Sequence, residues 1–309
     1  MYFTSSLLII YSQPLPADII FRMDWFGLFA GLIAAAIWGG MYVASKFVLD
    51  VVPPFTLLSS RLILGVLTLW PFVMKGREIR FSRRQMLRVL GVGFVGYGVS
   101  LGFQFVGTKL STAANGSLVT SATPAFVLIF AAWILKEQIT VRRLLALGLA
   151  TIGVVIVLDP RNARLSPDLF LGNLSLMAAA LTWALYSVLV RKVTRDLAVL
   201  PVSLLTFLGG LPLTIPVGIL ELKISGTGTI TFPVILGILY IGIISTGLAM
   251  YLWNTAFARL EAGVASLTFF AQPVVGAGLG ALFLGEQLTP HFLIGGVLIG
   301  LGLVLAAGK

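Results

Sequence analysis

The stretch that decides the fold is LKEQIT at residues 135–140, which returns 149 residues later as LGEQLT at residues 284–289. The same offset carries Pro124 to Pro273. Both copies lie within long apolar segments, so the chain contains an internal repeat of membrane-spanning sequence. Such a repeat is typical of membrane transporters whose two halves enclose one binding site.

The composition predicts an integral membrane protein. The 309 residues are 58% hydrophobic and only 10% charged, whereas soluble domains carry roughly 25% charged residues. Ten apolar segments can each cross a hydrocarbon core of about 30 Å as a helix, alone or with their flanking residues. The sequence therefore predicts an all-α membrane fold with helices at residues 25–46, 54–74, 86–107, 113–135, 142–158, 170–191, 199–220, 232–255, 262–284 and 291–308.

The distribution of basic residues predicts the orientation. With a cytoplasmic N-terminus and ten alternating spans, 15 of the 21 Lys and Arg residues fall in cytoplasmic loops, five fall outside, and Arg61 lies within a helix. Basic loops are retained in the cytoplasm, so both termini are predicted to be cytoplasmic. The net charge of +10 is then a topological signal, and nucleic-acid binding is the lesser alternative. Because each copy has five helices, the second copy enters the membrane inverted, which gives two inverted-topology five-helix repeats.

The repeat divides the chain into four parts. Residues 25–158 form the first repeat, residues 169–309 form the second, and the polar, proline-containing stretch 159–168 links them. Residues 1–24 are predicted to be a disordered leader or the product of a mis-assigned start, because Met23 directly precedes the first apolar span. An amphipathic surface helix is the alternative for this leader. A secretory signal is disfavoured, because no basic residue precedes its short apolar run.

Four segments carry a resemblance to a known family. IWGGMYVASK at residues 37–46 resembles the first-helix signature of EamA domains, which belong to the drug/metabolite transporter superfamily. LTWALY at residues 181–186 is similar to the second copy of that signature. Residues 124–137 and 273–286 resemble the fourth-helix pattern, a proline followed by an apolar run that closes in Gly-Glu. Lys136 departs from this pattern, since the family usually has glycine there.

The resemblance covers almost the whole chain and carries several implications. It implies a ten-helix basket of two inverted halves in the cell inner (plasma) membrane. It implies transport of amino acids or related metabolites by alternating access, and it assigns the central cavity to helices 1, 3, 4, 6, 8 and 9. The implied partners are a small-molecule solute and the lipid bilayer, with no cofactor. GxxxG pairs such as Gly27/Gly31 fit either packing within a monomer or homodimerisation.

The candidate substrate-binding residues are polar or aromatic side chains within the predicted helices. Polar groups in lipid need an internal partner or a wet cavity, and a small-molecule site combines apolar walls with a few polar groups. Packing and hydrogen bonding within the fold are the alternative role for each residue. The candidates are Trp38, Tyr42, Arg61, Tyr97, Gln104, Asn115, Trp183, Tyr186, Tyr251, Asn254 and Gln272.

Two charged positions have open roles. Arg61 lies seven residues after Pro54, a rise of about 10 Å into the predicted second helix. It could hold a solute carboxylate, extend to the membrane surface or brace the two halves. Glu137 and its copy Glu286 could gate the two sides by pairing with Arg142 or another basic residue, or they could form a repeated helix-end turn.

Other functions are disfavoured by what the sequence lacks. It has no GxxxxGK[ST] motif for ATP, no cysteine and only one histidine, and its eleven acidic residues are scattered. A metal site is not predicted, and an integral membrane enzyme is a remote alternative. A nucleotide-sugar or sugar-phosphate carrier would need several basic residues in its cavity. The aromatic candidates instead favour export of an aromatic or bulky amino acid.

Overall fold

The computed structural model describes residues 24–76, 81–111, 113–158, 169–275, 278 and 290–307. The fold is all-helical over these ranges, which contain no β-strand. The predicted leader up to residue 23, the linker 159–168 and Glu286 lie outside the described residues.

Within the described residues, helical segments fall at each of the ten predicted positions, and the ninth is described as a helix only as far as Val275. Seven of them are long and apolar enough to cross a membrane, and Ala262–Val275 and Leu293–Ala306 are shorter apolar helices. Large apolar side chains such as Trp133 and Phe232 lie exposed on the outer surface, where a bilayer can solvate them. The helices are α1 (Trp25–Leu49), α2 (Pro54–Lys75), α3 (Arg83–Leu110), α4 (Ala113–Thr120, Thr123–Phe130 and Ala131–Leu135), α5 (Val141–Leu158), α6 (Phe170–Thr194), α7 (Val199–Ser225), α8 (Phe232–Arg259), α9 (Ala262–Val275) and α10 (Pro290–Ala307).

Two helices continue past the charged residues near their predicted ends. α1 runs on to Leu49 beyond Lys46, and α6 runs on to Thr194 beyond Arg191. Both basic side chains donate hydrogen bonds to backbone carbonyls of neighbouring helices. Because each charge has partners at the end of another helix, it does not terminate its own helix.

The helix predicted over residues 113–135 is interrupted just before Pro124. α4 breaks at Ser121 and Ala122 and resumes at Thr123. Proline has no N–H to donate, and its ring excludes the carbonyl of the residue four positions earlier, which is Thr120 here. The break places the polar side chains of Thr120 and Thr123 at the centre of the bundle.

The third helix of each repeat contains a π-helical segment. These segments are Phe94–Ser100 in α3 and Tyr240–Leu248 in α8, and they overlap when the 149-residue offset is applied. A π-helical turn shifts the hydrogen-bond register and frequently occurs at functional sites. Gly96 lies in the first segment, where an added Cβ would come within 2.2 Å of the Tyr186 ring. The glycine therefore allows Tyr186 of α6 to pack directly against α3.

One end of the bundle, which we call the Lys46 end, joins the last turns of α1, α3 and α7 to the first turns of α2 and α6. The Lys46 Nζ donates to the Ser111 carbonyl (2.9 Å), and the Ser111 hydroxyl donates to Asn173 Oδ1 (2.7 Å). The Glu221 carboxylate accepts from the Phe55 backbone N–H (2.8 Å). These contacts bring residues of both repeats together.

The opposite end, which we call the Arg191 end, joins the last turns of α4, α6 and α8 to the first turns of α1 and α9. The Arg191 Nε donates to Glu137 Oε1 (3.0 Å), which also accepts from the Ala262 N–H (3.1 Å). The Arg259 Nε donates to Asp24 Oδ2 (2.7 Å). α6 and α8 therefore end where α1 begins.

α5 and α10 pack against each other beside this bundle. The Arg142 Nε donates to the Leu305 carbonyl (2.5 Å), so the start of α5 lies beside the end of α10. Gly153 and Gly302, which are equivalent in the repeat, allow close approach, since a Cβ on either would lie within 3 Å of backbone atoms of the other helix. Together with the two ends, this contact means that each of α1 to α5 runs opposite to the helix five places later.

Candidate functional site

A cavity lies between the two halves of the bundle, and the space between its atoms amounts to about 380 Å³ with open solvent included. Its walls come from α1, α3, α4, α6, α8 and α9, which are the six helices to which the family resemblance assigns the cavity. The lining residues are Trp38, Met41, Ser100, Leu101, Gln104, Thr120, Thr123, Ala179, Ala180, Trp183, Met250, Phe269 and Gln272.

One wall of the cavity is aromatic. Trp38 packs edge-on against Trp183, with ring centroids 6.0 Å apart, and it also contacts Trp253 (5.3 Å) and Phe269 (6.1 Å). The Trp38 indole N–H donates to the Ser245 carbonyl (3.0 Å) in the π-helical segment of α8. Because the indole is fixed at both its edge and its N–H, the apolar wall is preorganised.

The facing wall is polar. Gln104 Nε2 donates to the Tyr42 hydroxyl (2.8 Å), which also hydrogen-bonds to Thr120 Oγ1 (2.8 Å). Three further buried polar atoms have no partner among the described residues: Gln104 Oε1, Thr123 Oγ1 and Gln272 Nε2. Buried polar atoms without a partner are uncommon, so this wall retains hydrogen-bonding capacity for a solute. Tyr42 positions Gln104 without lining the cavity itself.

A separate polar chain is buried beneath the aromatic wall. The Tyr97 and Tyr186 hydroxyls are 2.7 Å apart, and Tyr186 donates to Asn254 Oδ1 (2.7 Å). Asn254 Nδ2 then donates to Ser203 Oγ (3.0 Å). The chain brings together three of the predicted site residues, but these satisfy one another and do not line the cavity. The Tyr97 ring contacts the Trp183 ring (6.0 Å), so the chain supports the wall from behind.

Arg61 is fully buried and also lies outside the cavity lining. Its Nε donates to Thr246 Oγ1 of α8 (2.7 Å), and its guanidinium carbon lies 5.1 Å from the centre of the Phe105 ring. The side chain therefore does not extend to the membrane surface. It bridges the two repeats, as the bracing alternative predicts.

The remaining predicted site residues are placed as follows. Trp38, Gln104, Trp183 and Gln272 line the cavity. Tyr251 is half-buried and lies outside the lining. The side chain of Asn115 is outside the part of the structure that is described.

Several lining residues were not among the sequence candidates, notably Ser100, Ala179, Ala180 and Met250. Helical spacing could have found some of them. Ser100 precedes Gln104 by four residues, and Ala179 precedes Trp183 by four, so each shares a helix face with a candidate. Small and aliphatic residues carry no polar or aromatic group that would mark them as candidates. They can be found only from a candidate that shares their helix face.

Glu137 closes the Arg191 end below the aromatic wall. Its carboxylate is 9% exposed and pairs with Arg191, which is 14% exposed. Arg191 Nη1 also donates to the carbonyls of Phe257 (2.7 Å) and Leu260. Of the partners suggested for Glu137, the structure shows another basic residue, Arg191, and not Arg142, whose Nε donates to the end of α10.

The comparison with known families decides the classification. The model of the EamA-like transporter family matches residues 25–159 and again residues 170–308. The chain belongs to the EamA-like transporter family. This result confirms the resemblance seen in the signature segments and identifies the protein as a multi-pass membrane transporter.

Individual relatives match along nearly their whole length. A protein of Salmonella typhimurium named probable amino-acid metabolite efflux pump is 27% identical, over 90% of this chain and 93% of the relative. A protein of Escherichia coli with the same name is 26% identical, over 89% and 92%. An uncharacterized transporter of Bacillus subtilis, YoaV, is 23% identical, over 89% and 94%.

A crystal structure of a similar protein shares the fold of this EamA-like protein. The two superpose with a TM-score of 0.75, over 91% of this chain and 96% of the other. Their sequences are 21% identical, so the likeness shows the fold alone.

Proposed function

We propose that this protein is a secondary transporter that exports an amino acid, with aromatic or bulky side chains preferred, across the cytoplasmic membrane by alternating access. The observation that carries the proposal is the cavity between the two halves, with tryptophans on one wall and amides and hydroxyls on the other. An amino acid has an apolar part for the first wall and two polar ends for the second. The efflux pumps named among the relatives support this choice of substrate and direction.

The proposal includes an inverted repeat of ten transmembrane helices, with residues 25–158 and 169–309 as its halves. Two observations support it: the family model matches twice, and equivalent helices run in opposite directions. Such a pair of halves can expose one cavity to each side in turn by rocking. The excess of basic residues in loops on the side of the N-terminus supports a cytoplasmic location for both termini, and hence for the Arg191 end.

Different lining residues would contact different parts of the solute. Trp38, Trp183 and Phe269 would contact the apolar side chain of the solute. Gln104 and Gln272 would hydrogen-bond to its polar groups through the amide atoms that lack partners. Tyr42, Tyr97, Tyr186 and Asn254 would hold these residues in place through the hydrogen bonds described above.

The experiment is counterflow in proteoliposomes. Vesicles loaded with unlabelled phenylalanine should accumulate labelled phenylalanine, with saturation and with competition by other bulky amino acids. The lining contains no Lys or Arg, so nucleotide sugars and sugar phosphates should neither be moved nor compete. If no amino acid moves and a phosphorylated sugar does, the proposal is wrong.

Matched variants locate the site within the same assay. Trp38→Ala and Gln104→Ala should raise the half-saturation concentration about tenfold, because a contact worth about 1.4 kcal/mol is lost. Trp133→Ala and Gln85→Ala make the same chemical changes outside the cavity, at a lipid-facing residue and at a helix cap. These two control variants should leave the half-saturation concentration within about twofold of the wild type. If the cavity variants and the control variants change it equally, the cavity is not the binding site.

A further inference from the structure

The charge of Arg61 is uncompensated within the described residues. The side chain has no solvent exposure, and its Nη1 and Nη2 atoms have no hydrogen-bond partner. None of the ion pairs formed by acidic residues in the described ranges includes it. Buried charges in proteins are ordinarily paired, because the loss of hydration must be offset.

This cation lies behind the polar wall of the cavity. Its guanidinium contacts the ring of Phe105, which follows the lining residue Gln104 in α3. Through Phe105 the charge therefore contacts α3, one of the helices that line the cavity, next to Gln104.

The surroundings allow the charge to act over this distance. No Asp or Glu is among the residues that line the cavity, so no anionic group there offsets the potential. At an effective dielectric constant of about 20, two unit charges about 10 Å apart still attract enough to change binding more than about tenfold. The sign favours an anionic group on the solute and disfavours a free cation.

We propose that Arg61 is a selectivity residue that makes the cavity favour solutes bearing a carboxylate, through its field and without touching the solute. The inference rests on the proposed transport function and narrows its substrate class. Carboxylate-bearing solutes, zwitterionic amino acids included, are accepted, and amines that lack a carboxylate are disfavoured. Arg61 thereby has a role in addition to bridging α2 and α8.

The first test uses the unmodified protein and four related compounds. Labelled phenylalanine counterflow is inhibited by phenylalanine, 3-phenylpropionate, phenylalaninamide or phenethylamine. Phenylalanine and 3-phenylpropionate, which carry the carboxylate, should inhibit at concentrations at least about tenfold lower than the two amines. Equal inhibition by all four compounds overturns the proposal.

The second test uses a matched pair of variants. Arg61→Lys keeps the charge and should keep the preference for carboxylates, whereas Arg61→Gln removes it and should bring the ratio of inhibitory concentrations to within about twofold of one. A purely structural role would lower transport of every compound and leave the ratio unchanged, which overturns the proposal. If Arg61→Gln does not fold, the result with the unmodified protein decides alone.

Two further experiments distinguish this inference from binding of an inorganic anion at Arg61 and from failure of the proposed transport function. Replacing chloride by gluconate asks whether an inorganic anion pairs with Arg61. Thermal stabilisation by chloride in the wild type but not in Arg61→Gln, with no carboxylate preference, assigns the site to chloride and overturns the proposal.

If no amino acid is transported, the proposed function fails, and the same four compounds are compared by ligand-induced thermal stabilisation. A carboxylate preference there supports the role of Arg61, and its absence overturns it.

Discussion

At both the Lys46 end and the Arg191 end, a basic side chain donates hydrogen bonds to backbone carbonyls, but its other partners differ. At each end a basic side chain binds the carbonyl end of a neighbouring helix: Lys46 reaches Thr108, Lys109 and Ser111 of the first repeat, and Arg191 reaches the last turn of α8. Lys46 and Arg191 are separated by the same 145 residues as Trp38 and Trp183. The two contacts are therefore equivalent in the repeat.

The difference is the carboxylate of Glu137. It pairs with Arg191 and accepts the backbone N–H groups of Ala262 and Gly263 at the start of α9. Acids at a helix N-terminus are favoured by the exposed N–H groups and by the helix dipole. Glu137 thus ties together the ends of α4, α6 and α9, whereas no carboxylate pairs with Lys46 in the described ranges. The comparison teaches that the Arg191 end is held by a nearly buried charge pair and the Lys46 end by hydrogen bonds to neutral groups.

The largest expected effect breaks this charge pair. Glu137→Gln leaves Arg191 nearly buried without its counter-charge, so the free energy of unfolding should fall by about 3 kcal/mol. Denaturant titration in detergent micelles measures it. The control is Glu261→Gln, whose carboxylate pairs with Arg143 but is 53% exposed. It should change the free energy of unfolding by less than about 1 kcal/mol. Equal losses would mean that burial does not distinguish the two pairs.

A smaller effect is expected at the other end. Lys46→Met removes the cation that donates to three carbonyls while it keeps most of the apolar stem, and the free energy of unfolding should fall by about 1–2 kcal/mol. Lys109→Met is the matched control, because the Lys109 side chain is exposed. A loss at Lys46 that equals or exceeds the loss at Glu137 would reverse the ranking of the two ends.

The smallest effect concerns the exposed pair Asp24–Arg259, whose side chains are 29% and 48% exposed. Arg259→Gln should change the free energy of unfolding by about 0.5 kcal/mol or less, and salt should weaken the effect further. Asp24→Ala should cost more, about 1 kcal/mol, because Asp24 also accepts from the Gly27 N–H and caps α1. Unfolding of both variants at low and high salt checks this, and a large, salt-independent loss in Arg259→Gln would contradict it.

Much of the fold could be predicted because the signals are local. The length of an apolar run predicts a membrane helix. The recurrence of the Glu137 segment identifies equivalent positions in the two repeats without any knowledge of contacts. The extension of α1 past Lys46 and of α6 past Arg191 was not predicted, because it depends on which carbonyls a neighbouring helix presents. The break before Pro124 has a local cause, since proline cannot continue the helical hydrogen bonds. The sequence left the partner of Glu137 open between Arg142 and another basic residue, because Arg191 is near Glu137 in space but far from it in sequence.

The candidate site could be predicted only in part. Gln104 and Gln272 were identifiable because an amide in lipid is unusual, and Trp38 and Trp183 because the repeat aligns them. Asn254 is also an amide in a membrane helix, but its side chain is hydrogen-bonded to Tyr186 and Ser203. The residue type alone does not reveal these partners. Ala179 and Met250 line the cavity without any polar group to mark them.

The end of α4 holds one consequence for work on this protein. Lys136 is the one non-glycine residue with a positive φ (59°) in the described ranges, and its counterpart in the second copy is Gly285. A left-handed backbone strains any residue with a Cβ by about 1 kcal/mol or more, and glycine is free of that cost. Lys136→Gly would therefore make a sturdier starting protein for crystallisation, obtained by copying one half of the chain onto the other.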